Sequence, residues 1–276
     1  MNNLFKILPA AEAATGLHLL AEADETGIAF VFFRTSPFIA EGMLWYQYER
    51  DQTDTAKLNA LETLLREEPF NGRPFLSVTL CFNGKETVLI PKKYYDASGA
   101  AAMLDLHYGE EKNASISSEK INKPEAILAY KIDSGLSAIW TSRFPGSSIR
   151  HSSALQINHF SITDNVLVCI VSPGNCKIIV YKNGLLQLEQ KFDYMVPADV
   201  VYHLLNACTQ FEMSPEEVTV LLSGLIESSS SLYKEIYKYF MHVKFDEAAT
   251  ENASEAFMQY PPHYFSNLIH LATQCA

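Results

Sequence analysis

The sequence of 276 residues lacks an excess of positive charge. Its 21 Lys and Arg residues face 32 Asp and Glu residues, which leaves a formal net charge of -11. Nucleic-acid phosphates are bound by clustered basic side chains, so this balance argues against a nucleic-acid partner. No apolar run approaches the roughly 20 residues that a membrane-spanning helix needs. The apolar stretch within residues 1–16 is short and interrupted by Glu12, unlike a secretory signal. We therefore expect a cytoplasmic protein without membrane insertion.

Metal-binding and catalytic sequence motifs are also missing. The chain has no Cys-x-x-Cys pair, and its eight histidines include no i, i+4 pair followed by an acid. It has no Walker loop, dinucleotide glycine fingerprint or Gly-x-Ser-x-Gly elbow. We predict no metal site and no catalytic residue from these motifs. The five cysteines are interpreted as small buried apolar side chains in the reduced state: Cys81, Cys169, Cys176, Cys208 and Cys275.

Apolar and aromatic residues are plentiful, and their order predicts an α/β protein. Apolar residues make up 48% of the chain and aromatic residues 12%, enough to bury a full core. The second half shows the clearest pattern, with hairpin turns at Gly174 and Gly184 and a helix opened by Pro197. It predicts three hairpin-linked strands, a helix, a buried strand, a helix and an edge strand: residues 166–171, 176–181, 185–194, 199–211, 218–224, 232–240 and 242–245.

The first half repeats this plan. Asp24-Glu25-Thr26-Gly27 is a turn between two strands, Thr53 or Asp54 caps the following helix, and Asn83-Gly84 indicates a hairpin. Residues 108–124 are polar and predict a surface loop. The predicted strands are residues 17–23, 28–33, 38–48, 75–82, 86–90, 126–132 and 148–151, and the predicted helices are residues 53–68, 92–106, 133–144 and 152–160. The repeated order favours an internal duplication, with one half in residues 1–160 and the other, with a C-terminal tail, in 161–276.

Several short motifs extend across nearly the whole chain: Leu89-Ile90-Pro91-Lys92-Lys93-Tyr94-Tyr95, Ser142-Arg143-Phe144-Pro145 with His151, Asp199-Val200-Val201-Tyr202, Leu222-Ser223-Gly224, Ser231-Leu232-Tyr233 and His263-Tyr264-Phe265. In their order and spacing the chain resembles an uncharacterised Bacteroidetes family, domain-of-unknown-function family 3822. It also resembles the actin, Hsp70 and sugar-kinase superfamily, especially the actin-like proteins of type IV pilus assembly and type II secretion. The resemblance implies a duplicated ribonuclease H-like (actin-like ATPase) fold. Each half would hold a mixed sheet, with a three-strand meander and further strands, flanked by helices.

The same resemblance implies where a nucleotide would bind. One strand turn in each half would hold phosphates through backbone amides and glycines, with an Asp that positions a metal ion or its water. The matching residues are Asp24 and Gly27 in the first half and Gly174 in the second. The second turn has no carboxylate, and Pro173 removes a backbone N–H. Gly224 matches the site where adenosine would approach the backbone. These four residues form the candidate vestigial nucleotide site, although Asp24 and Gly224 also fit purely structural roles in a turn and a tight bend.

Two functions follow from this combination. The first is a non-catalytic binding or scaffold protein on a degenerate actin-like fold, with a protein partner or a second copy of the chain in a homodimer and with no cofactor. The alternative is a divergent ATP-dependent kinase or ATPase that uses ATP and Mg²⁺. Its catalytic acid would lie at another position, such as Glu22, Asp193 or Asp199.

Overall fold

The computed structural model describes residues 1–10, 15–67, 69–70, 74–160, 162–247 and 250–276. The chain forms two compact units. Unit 1 comprises Met1–Leu155, Asn252–Phe257 and Leu271–Ala276, and unit 2 comprises Gln156–Glu251 and Met258–His270. Each unit thus includes part of the C-terminal segment, residues 252–276.

In unit 1, the strands belong to two sheets. In chain order they are β1 (Asn2–Ile7), β2 (His18–Ala23), β3 (Gly27–Thr35), β4 (Phe38–Gln47), β5 (Val78–Phe82), β6 (Thr87–Pro91), β7 (Ala114–Ile121), β8 (Ala126–Asp133) and β9 (Ser148–His151). The main sheet has the order β1-β4-β3-β2-β5-β9 and the smaller one the order β6-β8-β7. Strands β2, β5 and β9 run parallel, so their carboxyl ends lie at one edge of the main sheet.

The helices of unit 1 are α1 (Asp54–Leu65), α2 (Ala97–Tyr108) and α3 (Ser134–Arg143), followed by the start of α4 (Ser152–His159). Helices α1 and α3 begin at side-chain caps. Thr53 caps α1 by accepting a hydrogen bond from the Ala56 amide (3.3 Å), and Asp133 caps α3 by accepting one from the Leu136 amide (2.6 Å). Helices α1 and α3 cover one face of the main sheet, where Phe30 and Trp140 are fully buried.

Unit 2 holds one mixed sheet. Its strands are β10 (Val166–Ser172), β11 (Asn175–Lys182), β12 (Leu185–Asp193), β13 (Thr219–Gly224) and β14 (His242–Phe245), in the order β12-β11-β10-β13-β14. The helices that follow β12 are α5 (Pro197–Gln210), α6 (Ser231–Ile236) and α7 (Ser266–Thr273). The order matches β4-β3-β2-β5-β9 of unit 1 position by position. The duplicated α/β fold predicted from the sequence is therefore confirmed.

Two sequence predictions in unit 1 are wrong, and one strand is missed. Asn83-Gly84 does not join a hairpin, because β5 pairs with β2 and β9 while β6 pairs with β8 in the other sheet. The predicted surface loop at 108–124 contains β7, which pairs with β8 along its whole length. Strand β1, which pairs with β4, lies in a segment for which no strand was predicted. Among the helices of the described residues, none is long and apolar enough to cross a membrane.

Candidate functional site

The first candidate turn, between β2 and β3, is closed by its own aspartate. One oxygen of Asp24, Oδ1, accepts hydrogen bonds from the Thr26 amide (2.7 Å), the Thr26 hydroxyl (2.7 Å) and the Gly27 amide (3.0 Å). The Asp24 amide donates to the Gly27 carbonyl across the turn (3.0 Å). Gly27 itself lies against strand β4, where an added Cβ would overlap the Tyr46 carbonyl oxygen. Both residues thus have structural roles inside a tight hairpin.

The second candidate turn, between β10 and β11, is a two-residue hairpin loop. Ser172 pairs with Asn175, and Pro173 with Gly174 makes the connection. Gly174 has a φ of +80°, a conformation that glycine adopts without strain. Tyr194 covers the turn, because its amide donates to the Gly174 carbonyl (3.0 Å) and its hydroxyl donates to the Ser172 carbonyl (3.2 Å). This loop offers neither a carboxylate for a metal ion nor an amide at position 173.

Gly224, the last residue of β13, forms a strand-to-loop bend. Its φ is +82°, and an added Cβ would overlap the carbonyl oxygen of Val171, its partner on β10. The next amide, that of Leu225, donates to the same carbonyl (2.8 Å). Glycine is therefore required here by the backbone of the neighbouring strand, independently of any ligand.

The C-terminal segment covers the connection from β13 to α6 within unit 2. His263 Nε2 donates to the Ile226 carbonyl (2.6 Å), and its ring stacks on Phe245 with centroids 4.0 Å apart. The Tyr264 hydroxyl donates to Glu227 Oε1 (2.7 Å). The Tyr264 and Ser229 hydroxyls lower the pKa of Glu227 by hydrogen bonding to its charged form. Side chains of the chain itself thus occupy the surface next to the bend at Gly224.

The four predicted residues fall into two pairs. Asp24 and Gly27 lie together in unit 1, whereas Gly174 and Gly224 lie at the carboxyl ends of the adjacent strands β10 and β13 in unit 2. Of the alternative acids, Asp199 caps α5, accepting hydrogen bonds from the Met195 (2.9 Å) and Val196 (3.0 Å) amides, and these bonds lower its pKa. Within the described parts of the chain, no group of three or more His, Cys, Asp or Glu side chains is placed to hold a metal ion.

A cleft of about 380 Å³ opens beside the Asp24 turn, entirely within unit 1. This volume lies in the range of small-molecule pockets. The apolar part of its wall includes Leu58, Phe82 and Leu136. Six acidic side chains and three lysines also line it: Asp24, Glu25, Asp54, Glu86, Glu111 and Asp133, with Lys57, Lys85 and Lys131. The wall therefore combines an apolar surface with an excess of acidic groups.

The three lysines of the cleft are each close to a carboxylate. Lys57 Nζ lies 3.3 Å from Asp54 Oδ1, and Lys85 Nζ lies 3.8 Å from Glu25 Oε1. The buried Lys131 forms an ion pair with Asp105 (3.0 Å) and donates to the Gly109 carbonyl.

The acidic groups of the cleft also shift neighbouring pKa values. Burial, followed by the charge of Glu111, raises the pKa of Glu86. Burial, followed by the charge of Asp24, raises the pKa of Tyr48. Because the lysines already face carboxylates, the remaining acids give the cleft a negative potential.

Sequence reasoning missed Lys131 and the role of the C-terminal segment. Lys131 interrupts an otherwise apolar strand, Ala126–Asp133, and a charged residue inside a buried run is a signal that it has a partner. His263 and Tyr264 form part of a short sequence motif that does not reveal their partners. Their hydrogen-bond partners, Ile226 and Glu227, lie 37 positions away in the chain, and no local pattern specifies such a contact.

Comparison with known proteins supports the fold. The model of a family described as "Protein of unknown function (DUF3822)" matches residues 11–243. Comparison with curated proteins gives no match. A Bacteroides thetaiotaomicron protein with an actin-like ATPase fold and unknown function is similar at 18% identity and a TM-score of 0.74, over 95% of this chain and 98% of that chain. The PilM–PilN type IV pilus biogenesis complex is similar at 10% identity and a TM-score of 0.68, over 94% and 98%. These likenesses show an actin-like ATPase fold.

Proposed function

The chain belongs to the DUF3822 family and has an actin-like ATPase fold, and from this premise we propose that it is a non-catalytic binding protein. The observation that carries the proposal is the Asp24 turn. In the actin-like resemblance, an Asp at this place positions a metal ion or its water. Here Asp24 Oδ1 accepts three hydrogen bonds from its own turn. A carboxylate oxygen satisfied in this way gains little from binding a hydrated cation, because those bonds would have to be given up.

The second unit supports the same proposal. The turn at Pro173 and Gly174 has no carboxylate, and Tyr194 covers its carbonyl oxygens. The surface beside Gly224 is covered by His263 and Tyr264. Neither feature leaves backbone amides arranged around an anion, which phosphate binding requires.

We propose that the partner is a protein segment held in the cleft of unit 1. One protein that is similar in fold, PilM, has a structure in complex with PilN, so this fold accepts a protein partner. The cleft has an apolar wall and six acidic side chains against three lysines. An extended segment that carries Lys or Arg beside apolar residues complements that surface in charge and polarity.

Nucleotide binding tests the non-catalytic part of the proposal. Thermal unfolding would be followed with millimolar ATP or ADP, with magnesium and with a chelator. We expect no shift of Tm, because a ligand stabilises a protein only when it binds the folded state. Magnesium-dependent ATP turnover that disappears in Asp24→Ala would overturn the proposal. Turnover that survives this change but disappears in Glu22→Gln or Asp193→Asn would support the alternative, an ATPase or kinase with a relocated acid.

Peptide binding tests the cleft. Labelled peptides that share apolar residues but carry Lys, Glu or neither would be titrated by fluorescence anisotropy at two salt concentrations. We expect the Lys peptide to bind best and its affinity to fall with salt. Glu111→Gln, which removes one of the remaining acids of the cleft, should weaken it several-fold, about 1 kcal/mol per charge, and Glu111→Lys should weaken it further. Glu216→Gln in unit 2 is the matched control and should change nothing. Equal binding of all peptides, or no effect of the cleft variants, would contradict the assignment.

A further inference from the structure

Two cysteines and an arginine meet on one face of the main sheet of unit 1. In the register of the parallel strands, Glu22 of β2 pairs with Cys81 of β5, and Cys81 pairs with Arg150 of β9. Paired positions in neighbouring strands project to the same side of a sheet. This side is opposite to the aromatic core around Phe30, because the alternate residue, Leu80, belongs to that core. Cys81 and Arg150 therefore lie side by side on the second face.

The last residues of the chain bring a second thiol to this face. Residues Leu271–Ala276 belong to unit 1, and the Cys275 side chain is hydrogen-bonded to those of Cys81 and Thr79. The Thr79 hydroxyl is also 2.9 Å from that of Ser148 on β9. Cys81 is fully buried, whereas Cys275 is half-buried. Cys275 is thus accessible to a small reagent, whereas Cys81 is accessible only to Cys275.

The surroundings make the two thiols chemically unequal. The hydrogen bond from Cys81 lowers the pKa of Cys275, and the Arg150 charge and the Thr79 hydroxyl act in the same direction. The same hydrogen bond, together with burial, raises the pKa of Cys81. Arg150 is held in place by Glu119, with Nε 2.6 Å from Oε2. A thiolate beside a cation is the reactive form of cysteine, and an adjacent thiol can complete a disulfide.

We propose that Cys275 and Cys81 form a reversible redox pair, in which Cys275 reacts with hydrogen peroxide and Cys81 resolves the product. In the first step the Cys275 thiolate attacks a peroxide oxygen, the O–O bond breaks, and a sulfenic acid and hydroxide form. In the second step the Cys81 sulfur attacks the sulfenic sulfur. The S–S bond forms, the S–O bond breaks, and the hydroxide that leaves takes the Cys81 proton as water. The two thiols lose two electrons and the peroxide gains them. An added thiol reductant reverses the change by exchange.

The disulfide would tie the C-terminal segment to β5. Contact between positions 81 and 275 spans most of the chain, so a covalent link restricts the unfolded ensemble strongly. Disulfides of this kind in reducing compartments are usually transient and redox-sensing. Oxidation of the pair would thus stabilise the docked segment without a partner or ligand.

Peptide mapping of the intact protein tests the proposal. The reduced chain would be treated with hydrogen peroxide, blocked, digested without reductant and analysed by mass spectrometry. We expect a single cross-link between Cys81 and Cys275, a fall from five free thiols to three, and a rise in Tm that dithiothreitol reverses. In Cys275→Ser the cross-link and the rise should both be lost. In the matched control, Cys208→Ser, the cross-link should persist, because Cys208 lies on α5 with a pKa raised by burial to about 11.

A second measurement does not depend on any variant. Alkylation of the native protein over a range of pH should modify Cys275 first, with a midpoint below that of a free cysteine. In Cys81→Ser, where no resolving thiol remains, dimedone should label Cys275 after peroxide treatment. A cross-link between Cys169 and Cys176, a disulfide joining two chains through Cys275, or alkylation of Cys275 no faster than that of Cys208 would overturn the proposal.

Discussion

At the scale of single residues, Gly174 and Gly224 share a backbone conformation but differ in their surroundings. Their φ angles are +80° and +82°. An added Cβ at Gly174 meets no atom within 4 Å, whereas one at Gly224 would overlap the Val171 carbonyl oxygen. A side chain at position 174 would cost only the strain of a left-handed backbone. A side chain at position 224 would add a clash with the backbone of β10. Glycine is therefore favoured at position 174 by the backbone conformation alone, and at position 224 by both the conformation and the close approach of β10.

We expect Gly174→Ala to lower the free energy of unfolding by about 1 kcal/mol, the usual cost of a left-handed non-glycine residue. Gly224→Ala should cost at least about 3 kcal/mol, because β10 and β13 must also separate. Urea denaturation followed by circular dichroism measures both. Equal losses in the two variants would mean that the β10–β13 backbone shifts freely to accept the methyl group.

His159 gives a second prediction at this scale, one that concerns pH. Burial, and then the charge of His270, lowers its pKa to about 4, while Asp246 opposes the shift. The His159 and His270 rings lie 4.1 Å apart, and His270 Nε2 lies 3.1 Å from Asp246 Oδ2. The unfolded chain binds a proton at His159 near pH 6.5, well before the folded chain does. Above pH 6.5 the His159 ring is neutral in both states and does not change the stability. Below pH 6.5 the unfolded chain gains the proton first, so the free energy of unfolding should fall towards pH 4.

Thermal unfolding of wild type and His159→Gln between pH 7.5 and pH 4 tests this expectation. The variant should show a shallower fall of Tm than wild type in the window from about 6.5 to 4. His18 and His203, whose pKa values burial also lowers, contribute to both proteins alike and cancel in the comparison. Parallel curves for the two proteins would exclude His159 as a source of the pH dependence.

At the scale of elements, local signals predicted helices better than strand partners. The caps at Thr53 and Asp133 lie next to the helices that they begin, so the sequence shows them directly. Asn83-Gly84 has the composition of a hairpin turn, but partner choice is set by long-range pairing of β5 with β2 and β9. Strand β7 has mostly exposed side chains and pairs with β8 alone, so it shows no apolar alternation and looks like a loop. Edge strands with polar side chains are common and are hard to recognise for this reason.

The C-terminal segment is an element of the core rather than a loose tail. Phe265 is buried and Met258, seven positions earlier, is 74% exposed. We expect Phe265→Ala to lower the free energy of unfolding by about 3–5 kcal/mol, the range for a buried aromatic side chain. Met258→Ala should change it by less than about 0.5 kcal/mol. Chemical denaturation measures the two values, and similar small effects would show that the segment docks weakly in solution.

At the scale of the whole molecule, the repeated order of elements predicted the duplication, and five strands of the main sheet of unit 1 have the same order as the sheet of unit 2. That part of the fold follows from the sequence because each half has its own periodic pattern. The candidate site was less accessible to prediction. Composition shows that the second turn lacks a carboxylate, but the three hydrogen bonds that engage Asp24 Oδ1 become visible only in three dimensions. The division after residue 160, the absence of a cofactor and the protein partner stay predictions.

The discontinuity of unit 1 has a consequence for biosynthesis. Ala40 on β4 forms a bridge with Ala253, and the Ser254 amide donates to the Ala40 carbonyl (2.9 Å). The Ser254 hydroxyl also donates to the Glu41 carbonyl (3.5 Å), and these two residues are 213 positions apart in the chain. A ribosome therefore releases the strands of unit 1 long before it releases the segments that finish the unit. Unit 2 likewise is complete only after residues 258–270 have been synthesised. Once synthesis passes residue 156, the nascent chain carries two incomplete cores until its last residues are made, and exposed apolar surface of this kind is what chaperones shield.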